Sequence, residues 1–242
     1  MAVAKTIGHE IIAADAISLE VLIAALAGAI LWNVLTWFLG IPSSSSHAIV
    51  GGLLGAVLVG AGAQAVQLEG IGKVLIALFT SPIIGLVFGF VITKLVYLLI
   101  ARASVGINVV FKRGQIVTAM ALALSHGAND AQKSMGIITL ALVIGGYLQS
   151  FEVPLWVVFA CSLMIALGTS LGGWRLIRTL GGKFYKIRPI DGFSAQLASA
   201  IVILGNSLLG GPVSTTQVVS SAIMGVGAGE RVNKVRWGVA SE

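Results

Sequence analysis

Residues 40–52 read GIPSSSSHAIVGG and place four consecutive serines and a histidine between two long apolar runs. A serine run is usually a flexible linker, but this one lies inside an apolar element, residues 21–60, of membrane-helix length and composition. A polar break within a membrane costs free energy unless its backbone groups find partners. The stretch therefore predicts a membrane-embedded element that is interrupted to form a polar site.

The composition is that of an integral membrane protein. The chain has 242 residues, of which 57% are hydrophobic and 10% charged, and its mean hydropathy is +1.01. Soluble domains carry about a quarter charged residues. Residues 21–39, 74–100 and 154–172 match or approach the roughly 20 apolar residues of a membrane-spanning helix. Because a backbone in lipid must satisfy its own hydrogen bonds, we expect an all-α, multi-pass protein of the cell (plasma) membrane.

The net charge of +6 does not indicate nucleic-acid binding. The Lys and Arg residues lie between apolar runs, and aromatic residues do not alternate with them as a base-stacking surface requires. Cys161 is the only cysteine and lies inside an apolar run, which excludes disulfides within the chain and cysteine metal sites. We expect no nucleic-acid partner and no cofactor.

Four further apolar elements follow the first one, and two of them are also interrupted. Residues 74–100 predict a span kinked at Pro82, and residues 154–172 predict an uninterrupted span. Residues 115–148 predict a helix broken at SHGANDAQKS, and residues 193–228 predict a hairpin broken at GGPVSTTQ. A sixth apolar element is expected after these five and does not occur in the sequence.

The two hairpin breaks form an internal repeat. Residues 39–47, LGIPSSSSH, align without gaps onto residues 209–217, LGGPVSTTQ, and further on Gly55 aligns with Gly225. Both copies carry a Gly-x-Pro followed by hydroxyl residues at equal depth in an apolar run. We therefore interpret the chain as two related halves. They are residues 1–113, with the hairpin 21–60 and the span 74–100, and residues 114–242, with the broken helix 115–148, the span 154–172 and the hairpin 193–228.

Basic residues predict how the two halves cross the membrane. Lys and Arg cluster within residues 102–113 and 175–188, which marks both connections as cytoplasmic. The hairpin 193–228 has basic flanks on both sides and is predicted to enter from the cytoplasm. The hairpin 21–60 has flanks poor in Lys and Arg and is predicted to enter from outside. Related hairpins that enter from opposite faces are the inverted-repeat arrangement of many secondary transporters.

The hairpin breaks supply chemistry for an anion. Gly40 and Gly210 suit the end of an incoming half-helix, and Pro42 and Pro212 prevent its continuation. The N-terminus of an outgoing half-helix favours an anion, because its free amides carry a positive partial charge. Two such tips that meet would surround a tetrahedral oxyanion. The hydroxyl donors would come from Ser44, Ser45, Ser46, Ser214, Thr215 and Thr216.

The SHGANDAQKS segment offers different chemistry. Asp130 is the only acidic residue deep within an apolar element, so a partner cation is expected. Asn129 and exposed carbonyls would add neutral oxygens, which suit a hard ion such as sodium. Lys133 is an alternative partner for Asp130, in a pair that is either functional or structural, or it is a direct anion ligand. His47 and His126 are candidates for a proton relay or for structural hydrogen bonds.

Four motifs occur together: SHGANDAQKSMG, GIPSSSSHAIVGG, GGPVSTTQVVSSAIMG, and TSPIIG at residues 80–85. Through them the chain resembles the inorganic phosphate transporter (PiT) family over nearly its whole length. The resemblance implies phosphate symport driven by sodium or protons, two inverted repeats and a homodimer. It places phosphate at the hydroxyl residues of the two tips and cation coupling at Asn129 and Asp130. We add Lys133 to the predicted phosphate site because of its charge.

Two departures from the family pattern matter. Family members usually carry the Asn-Asp signature in both halves, whereas this chain lacks the first copy, the part before it and the final span. It therefore resembles an internal fragment, for which we expect an incomplete site and weak or no transport. Lys133 stands where many members have Asn. A fixed ammonium there would replace one bound sodium, which favours proton coupling or transport of a metal-phosphate complex.

Charge balance supports symport independently of the resemblance. Hydrogen phosphate carries up to two negative charges, and a co-bound cation lowers the charge that must cross the bilayer. The alternatives are a symporter of another tetrahedral oxyanion such as sulfate, and an anion channel lined by broken helices. An enzyme is not expected, because the sequence has no paired acids, metal-ligand set or nucleophile with a positioned base.

Overall fold

The computed structural model describes residues 1–12, 17–41, 43–102, 104, 106–183 and 188–231, with side chains left out for residues 172–183. Within these ranges the chain forms α-helices and no β-strand, apart from a single β-bridge between Ile12 and Val66. The all-α prediction is confirmed. The helices are α1 Ala2–Lys5, α2 Leu19–Leu39, α3 Ser45–Gly60, α4 Leu68–Leu99, α5 Ile107–Ile144, α6 Leu155–Lys183, α7 Pro189–Leu208 and α8 Thr215–Glu230. A π-helical turn, Thr6–Glu10, follows α1, and a 3-10 turn, Ala63–Ala65, precedes α4.

Helices α2, α4 and α5 are each long and apolar enough to cross a membrane. The 21 residues of α2, for example, extend about 30 Å at 1.5 Å per residue. Large apolar side chains on these helices are exposed, including Leu31, Phe79 and Leu124. An exposed apolar surface of this extent is stable in lipid and not in water. The structure therefore supports the predicted membrane protein.

The predicted break in residues 21–60 separates α2 from α3. Helix α2 ends at Leu39, and Gly40 adopts the left-handed conformation (φ 69°) that glycine accommodates most readily. The backbone N–H of Ile41 then donates to the carbonyl of Thr36 (2.9 Å). Helix α3 begins after Ser44, whose hydroxyl accepts from the backbone N–H of His47 (3.3 Å) as an N-cap. The first end of the break therefore forms at Gly40 as predicted, and the second end is an N-cap at Ser44, while Pro42 lies outside the described residues.

The break between α7 and α8 repeats this local geometry. Gly210 also has a positive φ (77°), and the backbone N–H of Gly211 donates to the carbonyl of Asn206 (2.9 Å). This bond is the counterpart of the bond from Ile41 to Thr36 in the aligned sequence. The agreement supports the internal repeat at the level of the backbone. The opposite orientation of the two hairpins stays a prediction.

One predicted break is wrong. Helix α5 continues without interruption from Ile107 to Ile144 and includes the whole SHGANDAQKS segment. The segment contains no proline, and most of its residues are compatible with a helix interior. Its polar side chains find partners on other segments, so the helix does not have to open in order to satisfy them. The broken helix 115–148 is therefore a continuous helix. Helix α4 includes Pro82, where the kink stays a prediction.

The chain divides into two compact units. Unit 1 comprises Met1–Leu78, Gly127–Leu176 and Asn206–Ser214. Its core includes Ile7, Leu22, Leu53, Val74 and Leu140, which come from the turn after α1, both helices of the first hairpin, α4 and α5. Unit 1 therefore draws on segments from both predicted halves of the chain.

Unit 2 comprises Phe79–His126, Ile177–Gly205 and Thr215–Glu242. Within it α4 and α8 approach so closely that a Cβ added to Gly89 would lie 2.3 Å from the carbonyl oxygen of Ala222. A Cβ added to Gly225 would lie 2.0 Å from that of Leu86. Glycines at these positions allow two helix backbones to pack in direct contact. A second contact in this unit joins Val96, Phe111 and Ile190.

An ion-pair cluster in unit 2 joins the outer ends of α7 and α8. Arg188 precedes α7, and its guanidinium contacts the carboxylates of Asp191 (Nε to Oδ2, 3.1 Å) and of Glu230 at the end of α8. It also donates to the hydroxyl of Tyr97. The hydrogen bond to Asp191 raises the pKa of Arg188 above its usual value, so the guanidinium stays charged. The start of α7 and the end of α8 therefore lie side by side.

Replacing Arg188 with glutamine is expected to lower the free energy of unfolding by about 1–3 kcal/mol. The reason is that the buried carboxylate of Asp191 loses its charged partner. Thermal unfolding in detergent measures the effect. The double variant Arg188→Gln with Asp191→Asn removes the unpaired charge and should recover part of the loss. An unchanged melting temperature in the single variant would contradict the assignment.

Candidate functional site

Helix α5 carries the polar residues at the centre of unit 1. Asn129 and Lys133 are one helical turn apart on the same face, and both are buried (0% and 1% exposed). Asp130 lies beside them with its side chain 20% exposed. Because the helix is continuous here, it holds the three side chains at fixed spacing. The predicted cluster of polar groups is therefore formed without a break in α5.

The ammonium group of Lys133 is fully used in hydrogen bonds. Its Nζ donates to Oδ1 of Asp130 (2.5 Å) and to the hydroxyl of Ser46 (2.5 Å). It also donates to the backbone carbonyl of Val213 (3.3 Å). An ammonium has three donors, and these three acceptors match that number. Of the alternatives raised from the sequence, the structure shows the Asp130–Lys133 ion pair.

The tips of both hairpins contact α5 inside unit 1. Ser46, in the first turn of α3, donates through its hydroxyl to the carbonyl of Val213 (2.7 Å), just before the start of α8. Both groups also accept from Lys133. Ser44 caps α3, Ser45 is half-buried beside it, and Ser214 is buried. The predicted meeting of the two tips is present for Ser46 and the backbone of Val213.

The amide of Asn129 has a defined orientation. Its Oδ1 accepts from the hydroxyl of Ser207 (3.1 Å). Its Nδ2 donates to the carbonyl of Val213 (3.3 Å) and to Oδ1 of Asp130 (3.2 Å). A sodium ligand at this position would use the amide oxygen, and here that oxygen faces Ser207.

The remaining predicted residues lie in unit 2 or on the surface. Thr215, the first residue of α8, is buried, and its hydroxyl lies 3.2 Å from Nε2 of His126. Thr216 is half-buried, while His126 and His47 are exposed. The structure thus joins His126 with Thr215 within unit 2, and it joins Ser46 with the polar residues of α5 within unit 1.

The donor set of unit 1 suits an anion better than a metal ion. No group of three or more His, Cys, Asp and Glu side chains that could hold a metal occurs among the described residues. The centre presents an ammonium, a serine hydroxyl and an amide NH₂ group within one buried network. Charge-assisted hydrogen bonds of this kind bind phosphate-like oxyanions strongly.

A second polar feature of unit 1 was not predicted from the sequence. A cavity of about 830 Å³ is lined by Lys5, His9, Glu10 and Lys73, among others. Burial raises the pKa of Glu10, but hydrogen bonds from Lys73 (2.9 Å) and Thr6 (3.0 Å) outweigh burial and hold it below its usual value. The ammonium of Lys73 lies close to the second tip, because a Cβ added to Gly210 would lie 3.2 Å from its Nζ.

Sequence reasoning also missed Ser207 and the carbonyl of Val213. A backbone carbonyl leaves no mark in a sequence. Ser207 does leave one, because Asn206 and Ser207 are adjacent polar residues in an apolar run, a few residues before the second break. Polar residues at such a position are expected to face the site and not the lipid.

Comparison with known proteins identifies the family. The model of the phosphate transporter family matches residues 1–109 and 102–242. The probable low-affinity inorganic phosphate transporter of Bacillus subtilis (strain 168) is 48% identical, and the alignment covers 98% of this chain and 73% of that protein. The protein of the same description from Mycobacterium leprae (strain TN) is 46% identical, with 99% of this chain and 59% of the relative covered.

A solved structure described as "The sodium-dependent phosphate transporter" has the same fold. Its TM-score is 0.89 at 23% sequence identity, and the match covers 99% of this chain and 78% of that one. The family is one of transporters and not of enzymes, as predicted. The chain therefore belongs to the phosphate transporter family and is a multi-pass protein of the plasma membrane.

Proposed function

We propose that this chain takes part in secondary active transport of inorganic phosphate and that a cation moves with the phosphate. The observation that carries the proposal is the ammonium of Lys133, which is 1% exposed and lies where the two hairpin tips contact α5 in unit 1. Family membership supports phosphate as the substrate. Around Lys133, we propose Ser44, Ser45, Ser46 and Ser214 as hydroxyl ligands of the phosphate.

The ion pair of Lys133 with Asp130 gives a physical reason for coupling. Without substrate the two charges neutralise each other. A phosphate that recruits the ammonium takes the partner away from Asp130, and a partly buried carboxylate without a partner is costly. A cation that arrives with the phosphate removes that cost. Coupling then follows from charge balance, with Asn129 and Asp130 as the groups that respond to the cation.

The identity of the coupled cation, proton or sodium, is a separate part of the proposal. Lys133 already supplies the positive charge beside Asp130 that a bound sodium would supply, which favours a proton. Sodium is the second candidate, and it is favoured by the described sodium dependence of the protein that shares this fold. We further propose that His47 and His126 relay protons and that the hydroxyls of Thr215 and Thr216 bind phosphate. We also propose that the protein assembles as a homodimer. Light scattering in detergent tests the homodimer.

Phosphate uptake into proteoliposomes tests the proposed function. Radiolabelled phosphate should enter slowly and with saturable kinetics, in line with the weak transport expected from the sequence. Removal of the pH gradient should reduce the uptake more than replacement of sodium with potassium does. Competition by sulfate tests substrate choice. Non-saturable flux that is independent of both gradients would indicate an anion channel and would contradict the proposal.

Labelling of introduced cysteines tests the inverted repeat. Single cysteines within residues 65–70 and within residues 183–188 should react with membrane-impermeant reagents from opposite sides of the membrane. Reaction of both from the same side would contradict the predicted topology.

A further inference from the structure

We propose that Ser207 is a positioning residue that fixes the amide of Asn129 as a donor and thereby keeps sodium away from Asp130. The inference rests on the proposed function, since it concerns which cation accompanies phosphate. Ser207 lies in the last turn of α7 and is 4% exposed, and Asn129 is 0% exposed. Its hydroxyl donates to Oδ1 of Asn129 across 3.1 Å. Each group is buried and has the other as a direct partner.

The surrounding acceptors determine which way the amide of Asn129 faces. Nδ2 lies 3.3 Å from the carbonyl oxygen of Val213 and 3.2 Å from Oδ1 of Asp130. A rotation of the amide by 180° would place Oδ1 against these two oxygens, where acceptors repel each other. It would also turn the NH₂ group towards Ser207. In the observed orientation the hydroxyl of Ser207 satisfies the amide oxygen, which points away from Asp130.

In this orientation Asn129 presents its NH₂ group, and not its oxygen, to Asp130. Its Oδ1 accepts from Nζ of Lys133 (2.5 Å) and from Nδ2 of Asn129 (3.2 Å). A hard cation is bound by several oxygen ligands, and an NH₂ group in their place repels it. The residues of this centre do not fit sodium, although the sequence alone suggested a possible sodium at Asn129 and Asp130.

Ser207→Ala tests the role of the hydroxyl. The variant removes the donor to Oδ1 of Asn129, which leaves this buried oxygen without that hydrogen bond. Rotation of the amide then lets the oxygen bind a cation at Asp130. We expect the variant to acquire saturable binding of radiolabelled sodium that Asp130→Asn abolishes. The phosphate KM should rise by about threefold to tenfold, the range for one buried hydrogen bond, with a smaller change in the maximal rate.

Two controls separate positioning from general damage. Ser207→Thr keeps a hydroxyl and should restore both the wild-type phosphate KM and the absence of sodium binding. Ser170→Ala makes the same chemical change at an exposed serine on α6, whose hydroxyl bonds to the carbonyl of Leu167 (2.7 Å). It should change neither measurement. A purely structural role of Ser207 would lower the amount of folded protein without creating a sodium site.

The sodium-binding measurement also decides the question without any Ser207 variant. Wild-type protein in detergent should show no saturable sodium binding that depends on Asp130. Saturable binding that Asp130→Asn abolishes would overturn the inference, as would a folded Ser207→Ala variant without sodium binding. Absence of phosphate uptake by the wild type would instead contradict the proposed function, and the binding result would stand because it needs no transport.

Discussion

Replacing Lys133 with methionine is expected to reduce phosphate uptake by about a hundredfold, the upper range for one charged hydrogen bond, and to destabilise the protein. The ammonium is 1% exposed and binds Asp130, Ser46 and the carbonyl of Val213. Without it, Asp130 keeps its charge and loses its ion-pair partner. Breaking a buried pair costs about 3–5 kcal/mol, and the cost here lies at the lower end because Asp130 is 20% exposed. Thermal unfolding in detergent and uptake into proteoliposomes measure the two effects.

A double variant separates the two consequences of this substitution. Lys133→Met combined with Asp130→Asn removes both charges, so most of the lost stability should return. Phosphate uptake should stay low, because the anion would still lack the ammonium that we propose as its ligand. Wild-type uptake in either variant would show that Lys133 is only a structural residue. Recovery of uptake in the double variant would contradict its role as a phosphate ligand.

Replacing Gly225 with alanine is expected to have the second-largest effect. It should lower the free energy of unfolding without changing the chemistry of the candidate site. The new methyl group would lie 2.0 Å from the carbonyl oxygen of Leu86, which belongs to a helix backbone and has little room to move. Helices α4 and α8 would have to separate locally. Overpacking of this kind typically costs about 1–3 kcal/mol, and a clash with backbone lies at the upper end.

The aligned glycine of the first hairpin provides the matched control. Gly55 is exposed on α3, and among the described residues no heavy atom beyond its chain neighbours and its own helix backbone lies within 4 Å of the position that its Cβ would take. Gly55→Ala should leave the melting temperature unchanged or raise it, because alanine favours a helix by about 1 kcal/mol over glycine. Equal effects of the two substitutions would show that α4–α8 contact does not limit stability.

The hairpin breaks were predictable because their signals are local. The conformation of Gly40 and Gly210 and the N-cap at Ser44 follow from residue types within a few positions. The internal repeat strengthened this prediction, because two copies of one pattern gave the same backbone geometry. The family resemblance drew on both hairpin motifs and on two further motifs, SHGANDAQKSMG and TSPIIG, and extended over nearly the whole chain.

The continuity of α5 was not predictable by the same reasoning. The sequence showed polar residues in an apolar helix and suggested that the backbone must open for them. The partners that remove this need, Ser207 and the carbonyl of Val213, lie far away along the chain. Only the tertiary structure shows that they reach Asn129 and Lys133. The orientation of the Asn129 amide depends on the same distant contacts. This orientation decides whether Asn129 presents a donor or an oxygen to Asp130.

The carbonyl of Val213 has one further consequence. Three donors converge on it, from Ser46 (2.7 Å), Asn129 (3.3 Å) and Lys133 (3.3 Å), while a carbonyl oxygen has only two lone pairs. The three donors compete, and the two longer bonds are the weaker ones. If phosphate binds here as we propose, one of its oxygens would offer a further acceptor and relieve this competition. The first hydrogen bond to the anion would then come from a donor that is in excess at the carbonyl of Val213, without the full loss of an existing bond.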